Sequence, residues 1–295
     1  MQAVIEFPLW LRPEIVSFDI GGFTLALRWY ALAYIGGFLI GWRLILAAIR
    51  RPGLWPGNTA PMTAEQVESL LTWIIVGVIL GGRLGFVLVY QPAYYLAHPA
   101  DILRVWEGGM SFHGGLAGAT LAGFLFARVH RIPASALGDS MAMVAPVGLG
   151  LGRIANFINA ELWGQPTQMP WGVIFPGNAG ICPPDWAHAC ARHPTQLYEA
   201  ALEGVLLGVV LWLLVTRAKA LRRPWFVTGA FLSGYGAARM LVERWRMPDD
   251  QFLAADPAGY VVRLGDFGLT MGQTLSLPMV AIGVGLVLIA GRTKP

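Results

Sequence analysis

Long apolar runs separated by short polar breaks dominate the chain. Seven of them, near residues 29–48, 69–89, 110–128, 138–158, 197–215, 226–245 and 273–291, approach the roughly 20 apolar residues that carry a helix across about 30 Å of hydrocarbon. The pattern predicts an all-α, polytopic membrane protein with about seven transmembrane helices, built as a single integral membrane domain over residues 1–295. His113, Asp139, Arg153, Asn156 and Arg239 lie inside or at the edges of the third, fourth and sixth runs. Ionisable groups at membrane depth are costly, so they point to function. The breaks near 91–109, 160–196 and 246–271 are longer and rich in proline, glycine and aromatic residues, which predicts a small extracytoplasmic cap. Residues 1–28 read as an outer, interfacial segment with Phe7 and Trp10 as anchors. Glu6, Pro8, Pro13, Glu14 and Asp19 argue against a cleavable signal peptide there.

Composition sharpens this picture. With 56% hydrophobic and 13% charged residues, the chain carries half of the roughly 25% charge of a soluble domain, which excludes a water-soluble enzyme. Twelve Trp, eight Tyr and fourteen Phe supply rings for the headgroup level, and 37 Gly supply small faces for close helix approach. The net charge of +4 is too small and too scattered to suggest nucleic acid. Its distribution sets orientation. Arg43, Arg50, Arg51, Arg128, Arg131, Arg217, Lys219, Arg222, Arg223, Arg292 and Lys294 fall on one side of the spans, while the basic residues of the other side are fewer and diluted by Asp and Glu. The positive-inside rule therefore places the amino terminus outside and the carboxyl terminus in the cytoplasm.

With that orientation, polar side chains from several segments gather in the outer half of the membrane: Tyr30 from the first span, Arg83 from the second, His113 from the third, Arg153 to Gly164 from the fourth, Tyr198 and Glu199 from the fifth, and Tyr235 to Arg246 from the sixth. Arg239 and Glu243 are one helical turn apart and can pair directly. Arg153 has no acid at i±3 or i±4, so its partner comes from another helix or from a ligand. Arg83 also has no such neighbour, and Gly81, Gly82 and Gly85 leave room for either close helix packing or a lipid headgroup. At about 100° per residue, Arg153, Asn156 and Asn159 form one polar stripe about 120° wide. A guanidinium flanked by carboxamides suits a phosphate, because it offers a planar fork of donors.

His113 is flanked by glycines in Gly108-Gly109-Met110-Ser111-Phe112-His113-Gly114-Gly115, so it is either an ordinary helix-end histidine or one open to a ligand. Ser111 points about 160° away from it on a helix, which disfavours a serine nucleophile and its base, and with them an intramembrane protease. The five histidines include no HExxH motif and no ligand pair at i, i+4, so no metal site is expected. Cys182 and Cys190 share one outer loop, where a disulfide is the preferred reading over a catalytic thiol.

The run Gly152-Arg153-Ile154-Ala155-Asn156-Phe157-Ile158-Asn159-Ala160-Glu161-Leu162-Trp163-Gly164 resembles the signature of the prolipoprotein diacylglyceryl transferases. It is joined in order by Arg28-Trp29-Tyr30, Gly81-Gly82-Arg83-Leu84-Gly85, His113-Gly114-Gly115-Leu116, His193-Pro194-Thr195-Gln196-Leu197-Tyr198-Glu199 and Arg239 to Glu243. The resemblance runs from about residue 28 to 291 and is weakest in the loop holding the two cysteines. It implies a bacterial inner-membrane enzyme that moves the diacylglyceryl group of phosphatidylglycerol onto the lipobox cysteine thiol of a prolipoprotein, leaving a thioether and releasing glycerol phosphate. Membrane lipids would surround it, and no cofactor is needed because the leaving group is already a phosphodiester.

On that expectation Arg153 and Arg239 grip the phosphate, with Arg83 or Arg246 as further support, and His113 takes the thiol proton. Tyr30 and Asn156 orient the reacting groups. Glu161, Glu199 and Glu243 hold the arginines, although any one of them is an alternative base. Asn159, Gly164 and Tyr235 complete the expected substrate-binding set. A lipid or anionic-solute transporter or flippase is the competing class, because intramembrane charges also line transport pathways; crowding of the charges at one face favours the transferase.

Overall fold

The computed structural model describes residues 5–20, 23–177, 190–248, 250–256, 258–265 and 267–292. In chain order the elements are β1 (Ile5–Glu6), β2 (Glu14–Ile20), β3 (Phe23–Arg28), α1 (Trp29–Ile49), α2 (Ala64–Val89), α3 (Pro92–Ala97), α4 (Phe112–His130), α5 (Ala134–Ile158), β4 (Val173–Ile174), α6 (Thr195–Glu199), a π-helical stretch (Ala200–Leu206), α7 (Leu207–Thr216), α8 (Phe226–Val242), α9 (Asp250–Ala255), β5 (Tyr260–Leu264), β6 (Phe267–Thr270) and α10 (Met271–Arg292). Helices fall on all seven apolar runs. α2 begins at Ala64 rather than near 69, because Thr63 and Gln66 form a reciprocal capping box ahead of the apolar run. Among the described residues, five helices are long and apolar enough to cross a membrane: α1, α2, α5, the continuous α6–π–α7 helix and α10. α4 falls outside that set, and α8, at 17 residues, is a shorter apolar helix.

The chain divides into two compact units, Met1–Gly41 with Met141–Pro295, and Trp42–Ser140. In the second unit α2 and α4 meet along a seam of small residues. A Cβ added at Gly77 would lie 2.6 Å from the Gly118 carbonyl oxygen, and one added at Gly85 would lie 2.7 Å from the Gly114 Cα. Glycines four apart on both helices thus let the backbones touch, the close approach that replaces hydrophobic drive between membrane helices. Ser111 caps α4 by accepting from the Gly114 N–H at 3.1 Å.

In the first unit, α1 lies against α5 through Gly36, Gly37 and Gly41, and α8 meets α10 where Gly229 faces the Gly283 carbonyl. Gly150 of α5 and Gly204 of the π stretch approach backbone to backbone. Along the continuous helix, every fourth residue from Thr195 through Glu199, Glu203, Leu207, Leu211 to Val215 is buried.

The strands depart from the all-helical expectation. β2 and β3 form an antiparallel hairpin with Phe18 opposite Leu25, and β5 with β6 form another. From Ile5 onward the segment is tied down: β1 pairs in parallel with β4, Ile5 opposite Val173, and Phe7 is buried with Val173 and Phe175. Phe7 therefore anchors into protein, while Trp10 remains exposed. Cys190 is buried; Cys182 lies outside the described residues.

Candidate active site

The first unit gathers three arginines and three glutamates from separate elements. Arg153 comes from the last turns of α5, Glu199 and Glu203 from α6 and the π stretch, Arg239 from the last turn of α8, and Glu243 and Arg246 from the residues that follow. Glu199 is their hub. Its Oε2 lies 3.1 Å from Arg153 Nε, and its Oε1 accepts from Arg239 Nη1 at 3.2 Å and Arg246 Nη1 at 3.0 Å. Arg239 also pairs with Glu243 at 2.7 Å, the one-turn pair the sequence offers. Glu243 accepts from the Thr270 hydroxyl at 2.8 Å. Arg153 thus finds its partner on another helix. The Tyr235 hydroxyl lies beside the Arg153 guanidinium.

A second arm, through Asn156, Glu161 and Tyr30, joins this cluster. Arg153 Nη1 reaches Asn156 Oδ1 at 3.5 Å, and Asn156 Nδ2 donates to Glu161 Oε1 at 2.9 Å. The Tyr30 hydroxyl donates to Glu161 and accepts from Asn156. Glu161 therefore holds Tyr30 and Asn156 rather than an arginine, which corrects its expected role. Its carbonyl is fixed by Gln196 Nε2 at 2.6 Å. Left-handed residues Ala160 and Leu162 turn the chain here, so Glu161 folds back toward Asn156 instead of continuing the helix. Asn159 sits just past α5, with a buried Oδ1 that has no hydrogen-bond partner among the described residues.

Gly164 works through its backbone. Its N–H donates to the His193 carbonyl at 2.9 Å and it bridges to Arg246. A Cβ there would lie 2.7 Å from Thr195 Cγ2 and 2.9 Å from His193 Cβ, so only glycine fits. This bridge packs Gly164 closely against the segment that carries Arg246. His193 Nδ1 faces the Tyr198 hydroxyl at 3.0 Å, and burial lowers its pKa from 6.5.

Arg83 and His113 lie in the second unit. Arg83 is 5% exposed and is saturated by backbone: Nε donates to the Ile102 carbonyl at 2.8 Å, Nη2 to Asp101 at 2.5 Å, and Nη1 to Gly108 at 2.7 Å and Gly109 at 3.1 Å. Four of its five N–H donors are thus occupied, against the expected phosphate contact. His113 is exposed in the first turn of α4, its ring edge-on to Phe112 at 5.5 Å.

Glu203 escaped the sequence reading. It is fully buried, 3.9 Å from Arg153 Nε, and neither carboxylate oxygen has a hydrogen-bond partner among the described residues. The signal was present: a second acid four residues after Glu199 in an apolar span.

Chemically, the cluster can hold an anion. Among the described residues, Arg239 Nε and Nη2 and Arg246 Nη2 donate to no protein acceptor, and the three guanidinium side chains are 14–19% exposed. Their charges are poised in a water-poor setting where they act strongly.

Comparison with known proteins agrees with this chemistry. A family model described as prolipoprotein diacylglyceryl transferase matches residues 15–289. Proteins named phosphatidylglycerol–prolipoprotein diacylglyceryl transferase from Ruegeria pomeroyi and Cereibacter sphaeroides are each 58% identical, over 98% of both chains in the first case and 99% of this chain and 100% of the relative in the second. One from Rhizobium leguminosarum bv. trifolii is 46% identical over 99% of this chain and 96% of its own. With a family model spanning nearly its whole length and relatives this similar from end to end, the chain belongs to the prolipoprotein diacylglyceryl transferase family.

Proposed function

We propose that this protein transfers the diacylglyceryl group of phosphatidylglycerol to the lipobox cysteine of a prolipoprotein. The observation that carries the reading is the meeting of Arg153, Arg239 and Arg246 around Glu199, with guanidinium donors left over for an anionic phosphodiester. The transferase name shared by the relatives favours this over transport.

In the reaction, the cysteine sulfur attacks the glyceryl carbon that bears the phosphate. A C–S bond forms, the C–O bond breaks, and the electron pair leaves with glycerol phosphate. Arg153 and Arg239 bind the phosphate and stabilise the charge that builds on it, with Arg246 in support. Tyr235 orients Arg153, and Tyr30 and Asn156, tied to Glu161, fix the floor beside it. A free thiol has a pKa of about 8.5 and must be deprotonated to attack; His113 is the proposed base. The membrane arrangement proposed with this function has about seven spans, an outer cap that includes residues 160–196, an extracytoplasmic amino terminus and a cytoplasmic carboxyl terminus, as the basic residues of the loops indicate.

The deciding experiment supplies purified protein with phosphatidylglycerol labelled in its acyl chains and a lipobox peptide. Thioether-linked label on the peptide supports the proposal. Peptide cleavage, or lipid movement between leaflets with no adduct, overturns it.

A further inference from the structure

We propose that Arg83 is a positioning residue for His113, acting as a clamp that fixes the turn from which α4 starts. The inference rests on the reading of His113 as the base. Arg83 takes two carbonyls on each side of its fork: Asp101 and Ile102 from the 99–103 turn, Gly108 and Gly109 from the segment entering α4. Its charge is not spent on an acid side chain. The Asp101 carboxylate is engaged instead by the Tyr94 hydroxyl at 2.7 Å and by Arg104 at 3.3 Å, while the Arg83 guanidinium stacks over the Tyr95 ring at 5.2 Å.

Gly108 and Gly109 both have positive φ, +87° and +75°, and this turns their carbonyls onto one guanidinium nitrogen. A Cβ at Gly109 would lie 2.8 Å from Arg83 Nη1 and from the Phe86 ring. The next residues are held by the same stretch of α2. The Ser111 N–H donates to the Gly82 carbonyl at 2.9 Å, and the Met110 methyl rests over Gly82. Two residues further on stands His113, whose imidazole makes no hydrogen bond among the described residues. With only the edge-on Phe112 ring beside it and no hydrogen bond holding it among the described residues, the backbone before it sets where the base stands. That backbone is gripped by Arg83.

A misplacement of about 1 Å at a reacting group can cost about 100-fold in rate. Arg83→Lys keeps the charge and loses the fork. Gly109→Ala attacks the clamp from the other side, through a backbone conformation that alanine resists. Both variants are assayed with a cysteine lipobox peptide and with its selenocysteine analogue, whose selenol is already ionised near neutral pH and has little need of a base. Each variant should lose about 100-fold in kcat on the cysteine peptide, keep the lipid KM within about threefold, and recover to within about threefold of wild type on the selenocysteine peptide. Hydrogen exchange at residues 102–113 should quicken in both while the remainder of α4 stays protected.

Equal losses on both peptides, or a raised lipid KM at unchanged kcat, overturn the inference and leave Arg83 as a fold element or a phosphate ligand. Wild-type protein that modifies neither peptide sinks the transferase reading first, and this inference with it.

Discussion

Glu199 is the residue on which the charged cluster turns. One fully buried carboxylate is shared by three guanidinium groups, so its removal leaves several buried charges short of a partner. Loss of one member of a buried ion pair costs about 3–5 kcal/mol. Glu199→Gln is therefore expected to lower Tm in detergent sharply and to abolish label transfer. Glu203 has no hydrogen bond to lose and sits 3.9 Å from Arg153, so Glu203→Gln should cost about 1 kcal/mol or less. Comparable losses from the two changes would show that Glu203 is an equal partner of the arginines.

His193 makes a separate prediction about acidity. Burial holds its pKa below the ordinary 6.5, so the unfolded chain binds the proton more readily. The stability this contributes is full above pH 6.5 and is lost as pH falls from there toward the lowered folded value. His193→Gln should flatten that part of the Tm–pH curve; parallel curves for the two proteins would refute it. At this scale the sequence showed which charged residues lie within apolar runs more readily than what they touch. Arg153, Glu199, Arg239 and Glu243 stood out as charges in apolar runs. The contacts of Glu161 and Gly164 were not legible, because they depend on a left-handed turn and a backbone bridge, neither of which leaves a mark in side-chain chemistry.

Among the elements, the α2–α4 seam is the most exacting. Glycines at 77, 81 and 85 meet those at 114 and 118 with backbone against backbone, so a side chain at Gly118 has nowhere to go. Gly118→Val should destabilise the protein by about 1–3 kcal/mol or more. Gly285→Ala, on α10 with open space around it, should be neutral in the same thermal melts. Helices were legible because some 20 apolar residues in a row admit few other readings. The hairpins were not: β2 and β3 are each under eight residues long, and their alternation was read as an interfacial tail even though Gly21-Gly22 between two β-rich runs is a turn signal. α4 satisfied the eye by length, but Gly, Ala and His dilute its hydropathy, and it owes its place to the glycine seam.

For the molecule as a whole, the proposed orientation predicts which face each end meets. A single cysteine placed after Arg292 should react with a membrane-impermeant thiol reagent only once cells are opened, and one placed in the 160–177 segment should react in intact outer-permeabilised cells; the reverse pattern would invert the topology. The six residues buried at every fourth position from Thr195 to Val215 connect the scales. In a regular helix, positions four apart drift by about 40° at each step, and over that length such a column would spiral around to face lipid. The wide turn at Ala200–Leu206, one of the π bulges that tend to mark functional sites, winds the column back. Excising a single residue there, such as Val205, would leave the lower rungs seated and swing Glu199 out of its arginines, so this local slack in the winding keeps the acidic hub in register with its membrane anchor.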